Sequence, residues 1–239
     1  MRPDIQTPHN KVWPHGPGAP DRLRPLVHGR PVDRISSFFN VVCFVHGSTS
    51  TLPVARSQLM VVLPEFRYHG SPLALGIIEE SACNCSCCGE ARGYAYSGSL
   101  YDVDDDTLVI CPWCIADGLA HSKFGVTFNH AHHLPDSATL ADSVTHELFQ
   151  RTPGFRSWQE REWICHCNDA CRFMGDVSVD EAQSPDWDAV QRLMESYGQS
   201  NVDREVWSEM IQNYEPGNPS LFKFVCTQCG LVFYQIDTA

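Results

Sequence analysis

The spacing of the cysteines constrains this chain more than any other feature of its sequence. Three short pairs hold their cysteines two residues apart, and they are Cys85/Cys88, Cys111/Cys114 and Cys226/Cys229. Two thiolates at this spacing face one metal ion when the turn between them is tight, and a glycine directly after the pair tolerates the positive φ of such a turn. Gly89 and Gly230 stand in that position. The pattern predicts metal-binding thiols.

The first two pairs predict one zinc site. Twenty-two residues separate Cys88 from Cys111, which is slightly longer than the usual spacing of a four-cysteine zinc site. Two short strands, at 93–98 and 107–110, would bring the pairs together as in a zinc ribbon. We expect the ligands of this site to be Cys85, Cys88, Cys111 and Cys114.

The third pair needs two further ligands. The only other tight cluster of cysteines in the sequence is Cys165-His166-Cys167-Asn168-Asp169-Ala170-Cys171. Residues at i and i+4 share one face of a helical turn, which favours Cys167 and Cys171 as partners of Cys226 and Cys229. His166 is the chief rival ligand and Cys165 the lesser one, and Asp169 is expected to hydrogen-bond around the site. The remaining cysteines are expected to be free thiols: Cys43, Cys83, Cys87 and Cys165.

The twelve cysteines are interpreted as reduced, although their even number also fits six disulfides. Disulfides need an oxidising compartment, and the polar, proline-rich start of the chain has no secretory signal pattern. We therefore expect a cytoplasmic protein that binds two Zn²⁺ ions. A membrane span is not expected, because the sequence has no run of 18 apolar residues.

Proline and charge divide the chain into two parts. Half of the 16 prolines fall in residues 1–59, which predicts a disordered, basic extension. Residues 60–239 are expected to form the zinc-binding domain, with a zinc-ribbon-like half at 60–134 and a helical half at 135–239, closed by the C-terminal zinc hairpin. Ordered-looking sequence begins at Met60, so this residue is a candidate start codon.

The domain is expected to have an α+β fold in which small zinc-ribbon-like β-hairpins combine with about four helices. Helical patterns occur at 115–124 and 137–151, and a capping box predicts another start at Ser157. Ser184-Pro185-Asp186 opens a helix that runs to Tyr197, and Asp203 caps the next. The terminal segment alternates as strand, turn and strand.

The domain is acidic, which bears on its partners. Residues 60–239 carry ten Lys/Arg and 26 Asp/Glu, a formal net charge of −16. Such a body repels phosphate backbones, so we do not expect nucleic acid as a partner. The sequence leaves an unknown protein or small molecule as the partner, and no substrate is indicated.

Closed four-cysteine sites usually hold structure, so the sequence favours a zinc-stabilised binding protein over an enzyme. One alternative is a thiol-disulfide oxidoreductase that uses Cys111/Cys114, because this pair stands before a predicted helix. The other is a zinc-dependent enzyme with an open site near His166. Trp158 and Trp163 are expected in the core.

Several of these segments together resemble the CbrC family of small bacterial proteins. The resemblance covers about residues 63–239 and lies in LPEFRYHGSPLALGIIE, CSCCGEARGYAYSG, CPWCIADGLAHSKFG, RTPGFRSWQEREWICHCNDACRFMG and FVCTQCG. The paired cysteines fall inside these motifs, which supports their reading as ligands. The resemblance implies no reaction or substrate. The first 59 residues, Cys83, Cys165 and the histidines at 130–133 depart from the family pattern.

Overall fold

A computed structural model describes residues 62–105, 107–135, 139–159, 162–199 and 203–239. The expectations for residues 1–59, including Cys43, lie outside this part of the chain. Within it the elements are β1 (Ile78–Glu80), β2 (Tyr94–Tyr96), α1 (Pro112–Ala116), α2 (Leu119–Phe124), a 3₁₀ turn (Ala131–His133), α3 (Asp142–Gln150), β3 (Cys165–His166), β4 (Asp169–Asp176), α4 (Val179–Gln183), α5 (Trp187–Ser196), α6 (Arg204–Ile211), β5 (Ser220–Cys226) and β6 (Val232–Asp237). The described residues therefore form a mixed α+β fold, with six α-helices where about four were expected.

Two antiparallel sheets organise the described residues. Strands β1 and β2 form a small hairpin, and the other four strands form a sheet in the order β3-β4-β5-β6. Alternation along β5 sends neighbouring side chains to opposite faces: Phe222 and Phe224 pack in an aromatic cluster with Phe173 and Trp163, whereas Leu221 packs under α5 and α6. The larger sheet thus has a buried layer on each face.

Residues 107–110 do not form the second ribbon strand that their β-branched content predicted. Their backbone instead forms hydrogen bonds with two different segments. The Ser86 N–H donates to the Val109 carbonyl at 2.7 Å, and the Tyr96 N–H donates to the Ile110 carbonyl at 2.8 Å. Because a strand needs a continued ladder with one neighbour, this stretch stays an extended connector. It still brings the segment before Cys111 alongside the first cysteine pair.

The helix predicted at 115–124 is divided in two at Gly118. Gly118 adopts a left-handed conformation, with φ 77°, between α1 and α2, and an interior residue of an α-helix cannot take that φ. Gly125, with φ 73°, ends α2 as the sequence predicts. The helix expected at 137–151 is present over Asp142–Gln150, and Val144 and Leu148 of its apolar stripe are buried; Ser137 lies outside the described residues.

Helix caps explain where the later helices begin. Asp203 caps α6 as predicted, and its carboxylate accepts from the Glu205 N–H at 2.9 Å. Asp186, not Ser184, caps α5 through the Ala189 N–H at 3.0 Å. The sequence reading missed α4, whose cap is Ser178.

The capping box at Ser157 does not open a helix in the described residues. The backbone N–H groups of Trp158 and Gln159 donate to the carboxylate of Asp237 at 2.5 and 3.2 Å. A side chain distant in sequence therefore accepts hydrogen bonds from N–H groups that lie in the predicted first turn. Trp158 is 61% exposed, in contrast to the core position expected for it, whereas Trp163 is buried as predicted.

No helix in the described ranges is both long enough and apolar enough to cross a membrane.

Candidate metal centres

The first candidate metal-binding turn is built by Cys85 and Gly89. The Gly89 N–H donates to the Cys85 carbonyl at 2.7 Å, and the Cys85 N–H donates to the Glu90 carbonyl at 2.9 Å. These two bonds reverse the chain within five residues. Gly89 adopts φ 78°, which a residue with a Cβ avoids. The turn places the thiols of Cys85 and Cys88 side by side.

The second half of this centre is the start of α1. Cys111 is the residue before the helix, with an extended ψ of 153°, and Pro112 occupies the first helical turn. The Cys111 N–H donates to the sulfur of Cys85 at 3.3 Å. One turn further on, Cys114 is buried and reaches the same sulfur at 3.9 Å.

The structure thereby brings together the four cysteines that the sequence predicted for the first site. Their sulfurs all lie within 4.8 Å of one another, and this set, called the four-cysteine group here, consists of Cys85, Cys88, Cys111 and Cys114. The distance is 3.9 Å between Cys85 and Cys114 and 4.0 Å between Cys88 and Cys111. A tetrahedral zinc ion with Zn–S bonds of about 2.3 Å separates its sulfurs by about 3.8 Å. The donor set fits zinc.

The electrostatics of this group favour one thiolate in particular. Burial acts to raise the pKa of Cys85, but the N–H groups of Cys88, Cys111 and Cys87 lower it to about 7. Burial raises the pKa of Cys111 to about 11, and it raises that of Cys114 further. Without a cation, Cys111 and Cys114 therefore resist ionisation, and a divalent ion would supply the missing positive charge.

The second centre begins at the β3–β4 hairpin. Cys167 and Asn168 both have φ 55°, which makes the two-residue turn between the strands. The helical i, i+4 argument for Cys167 and Cys171 is therefore wrong in its premise: this segment is a hairpin, and Cys171 lies within strand β4.

The β5–β6 turn repeats the geometry of the first one. The Gly230 N–H donates to the Cys226 carbonyl at 3.0 Å, and the Cys226 N–H donates to the Leu231 carbonyl at 2.8 Å. Gly230 has φ 76°, close to the value at Gly89. Burial acts to raise the pKa of Cys226, but the Cys229 N–H, the His166 ring and the Gln228 N–H lower it to about 6.

His166 completes the second centre. Its Nδ1 lies 3.2 Å from the sulfur of Cys167 and 3.4 Å from the sulfurs of both Cys226 and Cys229. Zinc bonds of about 2.0 Å to nitrogen and 2.3 Å to sulfur place the two atoms about 3.5 Å apart in a tetrahedral site. We call His166, Cys167, Cys226 and Cys229 the histidine-cysteine group.

Cys171 lies beside this group but does not belong to it. It pairs with Cys226 across the β4–β5 ladder and is fully buried. Burial, followed by the neighbouring thiolate of Cys226, raises the pKa of Cys171 well above its usual range. The sequence favoured Cys171 as the fourth member of this group and His166 as the alternative. The geometry places His166 there instead.

Cys165 and Cys87 are not members of either group, although Cys87 lies beside Cys114. The thiol of Cys165 donates to the Trp163 carbonyl at 3.5 Å, and Cys87 is buried in the N-terminal core. Cys83 is disulfide-bonded, so the expectations that it is a free thiol and that all twelve cysteines are reduced are wrong for this residue.

Asp169 is not a member of the histidine-cysteine group, but it holds the residues next to that group in place. This buried carboxylate accepts hydrogen bonds from Tyr68 at 2.6 Å, Thr227 at 2.7 Å and Gln228 at 2.6 Å, and it forms an ion pair with Arg67 at 2.5 Å. Thr227 and Gln228 are the two residues between the ligands Cys226 and Cys229. One carboxylate therefore ties the β5–β6 turn to the β3–β4 hairpin, which agrees with the role expected for Asp169.

Comparisons with known proteins place this architecture in a family. The sequence profile of an uncharacterised protein family, UPF0167, matches residues 63–238. The UPF0167 protein PA1536 of Pseudomonas aeruginosa is 40% identical over 177 residues, which cover 73% of this chain and 97% of the relative. The UPF0167 protein Mb2317 of Mycobacterium bovis and the UPF0167 protein MT2352 of Mycobacterium tuberculosis are each 36% identical over 191 residues, which cover 79% of this chain and 100% of either relative. No solved structure matches. The chain belongs to the UPF0167 family.

Proposed function

We propose that this protein is a zinc-stabilised binding protein with two structural zinc sites, one in each cysteine-containing group. The observation that carries the proposal is the repetition of one metal-binding turn. Cys85–Gly89 and Cys226–Gly230 have the same pair of backbone hydrogen bonds and nearly the same glycine φ. Each turn faces two further ligands at tetrahedral spacing.

Zinc is the metal that these donors suit best. Sets of four thiolates, or of three thiolates and one imidazole, in a tetrahedral arrangement are typical of structural zinc. Each group offers four protein ligands, so no coordination position is left for a substrate or an activated water. This closed arrangement favours a structural role over the zinc-dependent enzyme near His166.

The sites would add cross-links between segments that lie apart in the sequence. The four-cysteine group links the turn at Cys85 to the start of α1, and β1 and β2 of this region have only three residues each. The histidine-cysteine group links the β3–β4 turn to the β5–β6 turn. Structural zinc contributes on the order of 10 kcal/mol to the folding of small domains, which suits a region with such short strands.

The rival proposal, a thiol-disulfide oxidoreductase, fits the surroundings of Cys111 and Cys114 less well. Reactive cysteines are exposed and have lowered pKa values. Cys111 and Cys114 are each 1% exposed, and burial raises the pKa of both. Both thiols also face Cys85 and Cys88, which offer a metal rather than a path for a substrate disulfide.

The net charge and the thiol ligands indicate the class of partner and the compartment of the protein. The formal charge of −16 on residues 60–239 disfavours nucleic acid and favours a basic or neutral protein or small molecule. Zinc thiolates of this kind need a reducing compartment, so we propose the cytoplasm. The motifs that resemble the CbrC family also support a place for this chain among those proteins.

Native mass spectrometry of the full chain, purified under reducing conditions, tests this proposal. We expect two zinc ions per chain, and one in the Cys229→Ser variant. Cys165→Ser is the matched control, because Cys165 lies in the same hairpin outside the group, and it should keep both ions. A metal-free chain with an oxidised Cys111–Cys114 pair would contradict the proposal and favour redox chemistry.

A further inference from the structure

A cavity of about 400 Å³ lies between the larger sheet and the segment at 155–158. It is distinct from both metal-binding groups, since none of their ligands lines it. Its apolar walls include Phe155, Phe173 and Phe222. Phe155 and Phe173 stack with their ring centroids 4.2 Å apart, and Phe222 meets Phe155 edge-on at 5.3 Å. We call this space the aromatic cavity.

Two polar groups in the wall of the aromatic cavity lack partners. His69 is fully buried, and neither of its ring nitrogens has a hydrogen-bond partner in the part of the chain that the structure describes. The Oδ1 atom of Asp176 is likewise buried without a partner there, while its Oδ2 accepts from Ser220 at 3.3 Å. Both residues line the same cavity.

Buried polar groups without hydrogen-bond partners destabilise the folded state. A buried polar atom without a partner costs about 1 to 3 kcal/mol, and native proteins keep few of them. Two in one aromatic-walled cavity indicate a position where a ligand supplies the missing partners. Cavities that combine apolar walls with a few convergent polar atoms are typical of small-molecule sites.

The charges around the aromatic cavity indicate the sign of its ligand. The cationic side chain in its lining, Arg156, is already engaged by Glu79 at 3.0 Å. Asp176 has no cation paired with it among the described residues. Burial, and to a smaller extent the negative charge of Asp237, raise the pKa of its carboxyl, and a bound cation would favour the carboxylate. Burial, with a smaller effect of the nearby Arg172, lowers the pKa of His69 to about 4, so its ring is neutral near pH 7.

We propose that the aromatic cavity binds a small planar organic cation that carries N–H donors. The carboxylate of Asp176 would pair with the cation, the neutral ring of His69 would take a second hydrogen bond, and the phenylalanine walls would stack on the planar face. Trp158 stands at the edge of the cavity, where its Nε1 donates to the Gly217 carbonyl at 2.9 Å. Trp158 is 61% exposed, so its side chain forms the solvent-facing side of the cavity.

Benzamidine, a planar aromatic cation, is the probe that tests this inference, and benzoate is the anion of matched shape. In calorimetric titrations of the full reduced chain, benzamidine is expected to bind with a Kd on the order of 1 mM or tighter, and benzoate is expected not to bind. Asp176→Asn should weaken benzamidine binding at least about tenfold. Asp104→Asn, at an exposed loop carboxylate outside the cavity lining, should leave the Kd unchanged.

A second variant keeps the test decisive if Asp176→Asn fails to fold. His69→Phe retains a planar ring and removes both unpartnered nitrogens, so it should weaken benzamidine binding about fivefold while raising the melting temperature. The inference is overturned if wild-type protein does not bind benzamidine, if benzoate binds equally well, or if both cavity variants that fold keep the wild-type Kd. Neither result bears on the zinc sites, whose ligands lie outside this cavity.

Discussion

At the scale of single residues, the position of His166 distinguishes the second candidate metal group from the one that the sequence favoured. Its Nδ1 lies at 3.2 to 3.4 Å from three sulfurs, and the hairpin keeps the sulfur of Cys171 outside the group that those atoms form. The side chain of His166 also packs on Phe233, with ring centroids 5.1 Å apart, which limits its rotation.

This geometry predicts how variants of His166 behave. His166→Ala should lose one zinc ion and most of the stability of the β3–β4 and β5–β6 turns. His166→Cys should keep two ions, because cysteine restores a fourth donor beside three thiolates. Zinc content by mass spectrometry, together with the absorption spectrum of the cobalt-substituted protein, would distinguish three sulfur ligands from four. Equal zinc content in wild type and His166→Ala would contradict this ligand set.

Asp169 gives a prediction about pH. Burial acts to raise the pKa of this carboxyl, but hydrogen bonds from Tyr68, Thr227 and Gln228 and the charge of Arg67 hold it below its ordinary value. A group whose pKa is lowered by folding contributes stability above its unfolded pKa of about 4 and loses that contribution as the pH falls through the folded value. Asp169→Asn should therefore lower the free energy of unfolding by about 2 to 3 kcal/mol at pH 7.

Denaturant unfolding of wild type and Asp169→Asn between pH 7 and pH 3 checks this prediction. The difference between the two proteins should shrink as the pH falls below about 4. Asp188→Asn, at an exposed carboxylate of α5, is the control and should show almost no difference at any pH. A difference for Asp169→Asn that is small at pH 7 would mean that the network around this carboxylate does not stabilise the fold.

At the scale of elements, the sequence predicted local geometry well where one residue type determines it. Gly125 ends α2 and Asp203 caps α6, because a left-handed stop and a side-chain cap depend on one residue each. The capping box at Ser157 failed because a carboxylate 80 positions away, that of Asp237, takes the backbone N–H groups. Such a partner is invisible in local sequence.

The same distinction applies to the candidate sites. The four-cysteine group could be predicted because its two pairs lie near each other in sequence, with a ribbon spacing. The histidine-cysteine group joins positions about 60 residues apart, and the β3–β4 turn that orients Cys167 was mistaken for a helical turn. Cys171 lies opposite Cys226 because of the register between β4 and β5. This register could not be predicted from the local sequence.

The two glycine turns carry a prediction at this scale. Gly89, Gly230 and Gly198 share φ values between 76° and 78°, and a Cβ at any of them would meet nothing within 4 Å. Alanine at each position should therefore cost about 1 kcal/mol of backbone strain without a clash. Gly89→Ala and Gly230→Ala should also speed the loss of zinc to a chelator. Gly198→Ala, at the end of α5, should destabilise without changing that rate, and equal chelation rates in all three variants would contradict the role of the turns.

At the scale of the whole molecule, the proposed zinc ions change the net charge of the protein. Zinc with four thiolates carries −2, and zinc with three thiolates and a neutral imidazole carries −1. The bound ions would thus make a body of formal charge −16 still more acidic. Its avoidance of phosphate backbones would be stronger with metal than the composition indicates.

Exposure differs between the two groups, which predicts stepwise loss of metal. Cys167 and Cys229 are exposed, whereas Cys85, Cys111 and Cys114 are buried. A chelator should therefore remove the ion of the histidine-cysteine group first, and the chain should pass through a one-zinc species. Time-resolved native mass spectrometry of wild type and the Cys229→Ser variant would show it. Simultaneous loss of both ions would contradict this order.

A crystal structure with anomalous scattering recorded at the zinc absorption edge tests most directly whether both groups bind zinc. We predict two anomalous peaks, one about 2.3 Å from each sulfur of the four-cysteine group and the other bonded to Nδ1 of His166 and the sulfurs of Cys167, Cys226 and Cys229. A reduced crystal with no zinc peak at either group, or with a disulfide between Cys111 and Cys114, would contradict it.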